Sequence, residues 1–328
     1  MRRREFITLL GGAASAWPLA AHAQQPAIPV IGFLSFRSAN ESATSVAAFS
    51  EGLSEIGYVE GRSVHIAFRW AEGHKDRLPE LAADLVDNLR VAVIAAVGGG
   101  PSALAAKAVT KTIPIVFTYG ADPVKAGIVA SVNRPADNIT GITWFGSELS
   151  GKRVALFHDL VPAAATMALL INPSDPEGQA EPPDAQDAAR RLNLKLVVLN
   201  ASTEREIDTA FATVAQQHVG AVVVGSDPFL FSRREQIVSL AARHAIPAIY
   251  SNREFVTAGG LVSYGNSVPE AYRHAGLYVG RLLRGARISE LPVERLTKFE
   301  FVLNLTTSKA LGLTLPASFL SLADELIE

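Results

Sequence analysis

The chain has 328 residues, 48% of them hydrophobic and 19% charged, which is enough for two globular domains. It contains no cysteine, so disulfides, thiolate metal centres and thiol nucleophiles are excluded. The formal charge is −2, and the 305 residues after position 23 carry 27 basic against 31 acidic side chains, a net −4 without the basic excess of a nucleic-acid-binding domain.

The N-terminus reads as an export signal. Arg2, Arg3 and Arg4 precede a short, small and apolar stretch from Thr8 to Ala20, and Ala21-His22-Ala23 forms an A-x-A cleavage site before Gln24. Arg3-Arg4-x-Phe6-Ile7 resembles the twin-arginine type. The apolar part is too short for a stable membrane span. No later segment approaches 18 apolar residues, so the mature chain is expected in the periplasm, cleaved after Ala23.

The first strand, Pro29 to Phe36, ends in Ser35-Phe36-Arg37-Ser38 and leads to a helix from about Ala43 to Ile56. Ser63 to Trp70 alternates like a strand, and His74 to Leu89 carries apolar residues at helical spacing. Val91 to Val97 is an unbroken β-branched and apolar run, the pattern of a strand buried on both faces in a parallel sheet. Gly98, Gly99 and Gly100 permit a tight turn, and Pro101 and Ser102 suit the start of a helix over Ala103 to Thr110. A second apolar run, Ile115 to Tyr119, ends in Gly120-Ala121-Asp122-Pro123. A short helix around Lys125 to Val132 and a strand from Ile139 to Phe145 are then expected.

The loops after Val97 and Tyr119 lie outside the carboxyl ends of parallel strands, where open α/β sheets bind ligands. The helix start at Gly99 to Ser102 offers N–H donors and a partial positive charge to a carboxylate. Gly98-x-Gly100-x-x-Ala103 also fits a loose dinucleotide fingerprint, but not on the first β-α turn, and no cofactor is expected.

After a helical stretch from Gly151 to Leu160 the same grammar restarts. Strands are expected at Met167 to Ile171, Lys195 to Leu199, Ala221 to Val224 and Pro247 to Tyr250. Their tips include Asn172-Pro173-Ser174-Asp175, Gly225-Ser226-Asp227-Pro228 and Ser251-Asn252-Arg253-Glu254. The tail is too scattered to bury its own core and must return between the halves. The expected architecture is two doubly wound parallel-sheet α/β lobes on a hinge. Residues 28–145 plus about 263–288 form one lobe, and 146–262 plus about 289–328 the other. The crossings are then near Phe145, Val262 and Ile288.

No G-x-S-x-G elbow or H-E-x-x-H pair is present, and the 7 histidines are scattered, so an enzyme is not expected. Aromatic and polar residues do gather at the strand tips. Phe36, Tyr119, Trp144, Phe229, Phe231, Tyr250 and Tyr264 stand among Ser35, Asp122, Asp227, Ser251 and Asn252. That mixture suits a small amphipathic, amino-acid-like solute. A helix cap explains Asp122 and Asp175 as well as ligand contact does, whereas Asp227 is the expected acceptor for a ligand ammonium.

The stretches IPVIGFLS, IPIVFTYGADPV, ADNITGIT, HAIPAIYSNREFVTAGGLVSYG and LPVERLTKFEFVLNLTTSKALGLTLP give the chain a resemblance, nearly end to end, to the ABC transporter substrate-binding proteins of the tryptophan/tyrosine type. The resemblance implies a two-lobed type I periplasmic-binding-protein fold, a monomer that closes on a small solute and hands it to an ABC permease. It places ligand contacts at Gly99, Gly100, Pro101 and Ser102, at the Asp122 loop, at Asp227 and at Ser251-Asn252. Two departures stand out: the turn reads GGGPSA where a T-P-A turn is usual, and Arg37 puts a bulky charge near the cleft. A periplasmic ligand sensor docking on a signalling receptor, or an exported α/β enzyme, are the other readings.

Overall fold

The computed structural model describes residues 28–135 and 137–328, so the expected export signal at residues 1–23 lies outside the described residues. The strands are β1 (Val30–Ser35), β2 (His65–Trp70), β3 (Val93–Val97), β4 (Ile115–Tyr119), β5 (Ile139–Thr143), β6 (Thr166–Ile171), β7 (Lys195–Asn200), β8 (Ala221–Val224), β9 (Ala248–Tyr250), β10 (Val262–Asn266), β11 (Glu294–Arg295), β12 (Phe299–Asn304) and β13 (Glu325–Ile327). They form two sheets, one in the order β11-β5-β4-β3-β1-β2 and one in the order β13-β12-β10-β9-β8-β6-β7. Among the described residues all pairings are parallel except β10 with β12. Every residue of β3, β4, β5 and β8 is buried, as their continuous apolar runs require of strands covered on both faces.

The tail differs from expectation. Val262 does not lead back to the first lobe, because β10 pairs with β9 and β12 inside the second sheet. The return comes at Ser267, which starts the helix Val268–Leu283 with its hydroxyl accepting from the Glu270 N–H. Nor does the chain leave the first lobe at Ile288, since Glu294 and Arg295 add an edge strand to β5. The last passage is the segment 296–298, before β12. The helix expected around Lys125 to Val132 is a series of turns. Gly127 has a φ of 72°, the Asp122 carboxylate accepts from the Val124 and Lys125 N–H groups, and Lys107 Nζ donates to the Gly127 and Ile128 carbonyls.

The returning helix is fastened to the helix Ala43–Glu55 through glycines. A Cβ on Gly276 would lie 2.2 Å from the Phe49 carbonyl oxygen and 3.0 Å from the Leu53 nitrogen. The backbones touch where any side chain would separate them. Gly276→Val should therefore lower the melting temperature, with a destabilisation of at least about 1–3 kcal/mol from overpacking, measurable by denaturant unfolding. An unchanged midpoint would show that the helix pair can part at no cost.

Candidate functional site

The carboxyl ends of the two sheets face each other, and the groups at the strand tips meet across the gap. From the first lobe, β1 ends in Ser35, whose buried hydroxyl accepts from the Arg37 N–H at 3.1 Å. The turn after β3 has φ values of 83° at Gly98 and 120° at Gly99, left-handed conformations that favour glycine. A Cβ on Gly99 would lie 2.4 Å from Pro228 Cγ of the opposite lobe, and one on Gly120 would lie 2.7 Å from Glu177 Oε2. The lobes thus touch where the first has no side chains.

From the second lobe come short proline-led helices that the sequence reading did not anticipate. Asp175 caps Pro176–Ala180, accepting from the Glu177 N–H at 3.0 Å. Asp227 caps Pro228–Ser232, accepting from the Leu230 N–H at 2.8 Å and from Asn172 Nδ2 at 3.2 Å. Glu177 reaches across the gap and accepts from the Gly120 N–H at 3.1 Å. Glu181, fully buried, pairs with fully buried Arg153 at 3.0 Å and accepts from the Ser226 N–H.

Asp175, Glu177 and Asp227 are all buried, and none has an ion-pair partner among the described residues. Burial, reinforced by Asp175, pushes the Asp227 carboxyl up to about 8. Burial likewise raises Glu177 well above the carboxylate range, with Asp175 and Asp227 adding to the effect, and raises Asp175. Glu181 is pushed up to about 7, burial outweighing the opposing pull of Arg153. Burial is also the leading cause that raises the Tyr119 phenol, followed by the charge of Glu177. Against these stand two buried cations: Arg153, taken up by Glu181, and Arg37, whose guanidinium carbon lies 3.8 Å from the ring centre of Phe231.

Three cavities follow the gap. The central one, about 20 Å³, is lined by Arg37, Gly98, Gly99, Gly120, Trp144, Glu177, Asp227, Phe231 and Asn252, among others. A mouth of about 160 Å³ lies between Phe36, Pro101, Asp175, Asp227 and Phe229. A lateral groove of about 430 Å³ is bounded by Tyr119, Asp122, Ser147, Glu148 and Gln179. As drawn together, the central cavity has room for about one water molecule, and solutes larger than that require the lobes to part.

The structure brings together most of the residues expected at the site, but not all. Gly99, Asp227 and Asn252 line the central cavity, Phe36 and Pro101 the mouth, and Tyr119 and Asp122 the lateral groove. Ser35 lies immediately behind Arg37, and Ser251 donates to Asn252 Oδ1 at 2.9 Å. Gly100 packs under the Tyr119 ring, and Ser102 is fully buried in the first helical turn with its hydroxyl unpartnered among the described residues. Tyr264 lines none of the three cavities. It sits opposite Phe301 in the antiparallel pair and packs against Phe299 and Phe301 at ring distances of 5.9 and 6.4 Å. Tyr250 stacks on Phe255 at 4.8 Å. Glu177 went unnoticed in the sequence, and Asn172, named there only as part of the tip ending at Asp175, was given no role.

Two parallel-sheet lobes facing each other across such a gap define a two-lobed binding protein with the type I periplasmic-binding fold. The chain belongs to the family of ABC transporter substrate-binding proteins, whose sequence profile matches residues 27–327. It is 28% identical over 265 residues to the tyrosine-binding protein of Clostridioides difficile strain R20291, across 81% of this chain and 75% of that one. A conserved domain protein from Vibrio cholerae superposes with a TM-score of 0.82 at 23% identity, covering 91% of this chain and 99% of the other. An ABC domain from Streptococcus pneumoniae, solved in complex with L-Trp, gives a TM-score of 0.81 at 24% identity over 90% of this chain and all of its own.

Proposed function

We propose that this protein is the periplasmic solute receptor of an ABC importer, capturing a small amino-acid-like solute between its lobes and presenting it to a membrane permease. The observation that carries the reading is the gap itself, into which both lobes send buried ionisable groups: Arg37 from the first, and Glu177 and Asp227 from the second. A buried cation without acceptors is costly in a free protein, and buried carboxyls that hold their protons there can ionise once a ligand cation pairs them. The amino-acid-binding names of the C. difficile and S. pneumoniae relatives support the same solute class. The work assigned to the protein is capture and delivery, with three passages of chain between the lobes allowing the gap to open and close.

A thermal-shift screen of the mature chain against amino acids, small carboxylates, sugars and polyols tests this reading. At about 100 times its dissociation constant, the true solute should stabilise the fold by roughly 2.7 kcal/mol. It should also reduce the radius of gyration in solution scattering. A solute that shifts the melting temperature but leaves the scattering curve superimposable would argue against closure.

A further inference from the structure

We propose that Arg37 is the anion clamp of the cleft, so that the solute must carry an acid group and dock it against the first lobe through this guanidinium. The inference rests on the solute-receptor reading above and specifies its ligand. Arg37 is only 5% exposed, yet its Nε and Nη1 have no hydrogen-bond partner among the described residues. A guanidinium does not lose its proton in a protein, so a buried one without acceptors leaves strong donors unsatisfied. Glu254 feels its charge but makes no ion pair with it among the described residues. One face of the group is covered by Phe231 at 3.8 Å, an aromatic of the opposite lobe. That contact fixes the plane of the fork without using its N–H groups, and the fork borders the central cavity beside Gly98 and Gly99.

A planar acid, above all a carboxylate, matches such a fork in shape and charge. The glycine turn lies next to it, with Gly98 and Gly99 bordering the same cavity. The cavity does not reach Ser102. Across the gap, the carboxyls of Glu177 and Asp227 border the same cavity and can ionise against a ligand cation. The solute class is therefore a compact zwitterion, acid toward the first lobe and cation toward the second. Because Phe231 approaches Arg37 from the second lobe, closing the lobes and burying the clamp are one event.

The test uses L-tyrosine, L-leucine and benzoate, each beside its carboxamide, on the mature wild-type chain and on Arg37→Gln and Arg37→Lys. Binding is read by melting temperature and by the fluorescence of Trp144, which borders the same cavity. The wild type should bind at least one acid and discriminate against its amide. Arg37→Gln should weaken the acid about 30-fold or more, as expected when one partner of a desolvated charge pair is removed. Arg37→Lys, which keeps the charge but not the fork, should fall between. Arg37→Gln should also melt no lower than the wild type without ligand, because it removes an uncompensated buried cation. Equal binding of acid and amide, or undiminished acid affinity in both variants, overturns the clamp. Closure on a neutral sugar or polyol alone overturns the clamp and leaves the receptor reading standing. Failure to bind any solute of the wider screen overturns both.

Discussion

Asp227→Asn is expected to weaken an amino-acid ligand by about 30-fold to several-thousand-fold, the cost of removing one member of a desolvated charge pair. Asp227 is 5% exposed and borders both the central cavity and the mouth. It is also the N-cap of Pro228–Ser232, so replacement by alanine would cost about 1 kcal/mol for the lost cap and confuse the result. Asparagine keeps an acceptor for the Leu230 N–H and removes the charge, losing only the acceptor for Asn172 Nδ2. The control is Asp122→Asn: that carboxylate borders the lateral groove, is partly exposed and is occupied with the Val124 and Lys125 N–H groups. Calorimetry with the best solute of the screen should give a large loss for Asp227→Asn and a small one for Asp122→Asn. Equal small losses would remove Asp227 from the site.

The second large effect is on the pH dependence of stability. Asp227 and Glu181 have folded-state values of about 8 and about 7, against roughly 3.9 and 4.3 for free Asp and Glu. Raised values mean that the folded chain holds protons that the unfolded chain has released. Their contribution is fully present below about pH 4 and is lost as pH rises through about 7 for Glu181 and about 8 for Asp227. Each such proton adds about 1.4 kcal/mol per pH unit within its window. Glu177 and Asp175 push in the same direction. Glu270, held at about 2 by Arg273 and His274, acts oppositely and only in acid. The melting temperature should therefore fall steadily from pH 5.5 to pH 9, and Asp227→Asn should flatten the upper part of that fall. A profile that rises over the same range would mean that these carboxyls are solvated.

The central β-α-β unit was legible because its signals are local. Val91 to Val97 has no polar residue to place on a solvent face, and only glycine suits the φ of 120° at Gly99. The position of Leu261 to Tyr264 was not legible. A short apolar run fits either sheet, and its place was decided by pairing with β9 and with Phe299–Asn304, distant in sequence. Tyr264 then fell opposite Phe301, a matter of register that composition does not carry. Glu177 reads as an ordinary surface acid in a polar stretch, and its contact with Gly120 joins segments 57 residues apart. Arg37 was visible as a charge near the cleft. That its donors go unpaired is a property of the assembled lobes, with Phe231 brought in from 194 residues further along the chain.

The interleaving of the tail has a consequence for biogenesis. The sheet that begins at Val30 gains its last strand only at Glu294, after β6 to β10 of the other sheet have been made. The helix Val268–Leu283, which seals Phe49 and Leu53, also arrives late. The lobe started first is thus finished nearly last. A ribosome releasing this chain from its amino end cannot deliver one completed lobe and then the other, and the two must mature together once almost the whole polypeptide is present.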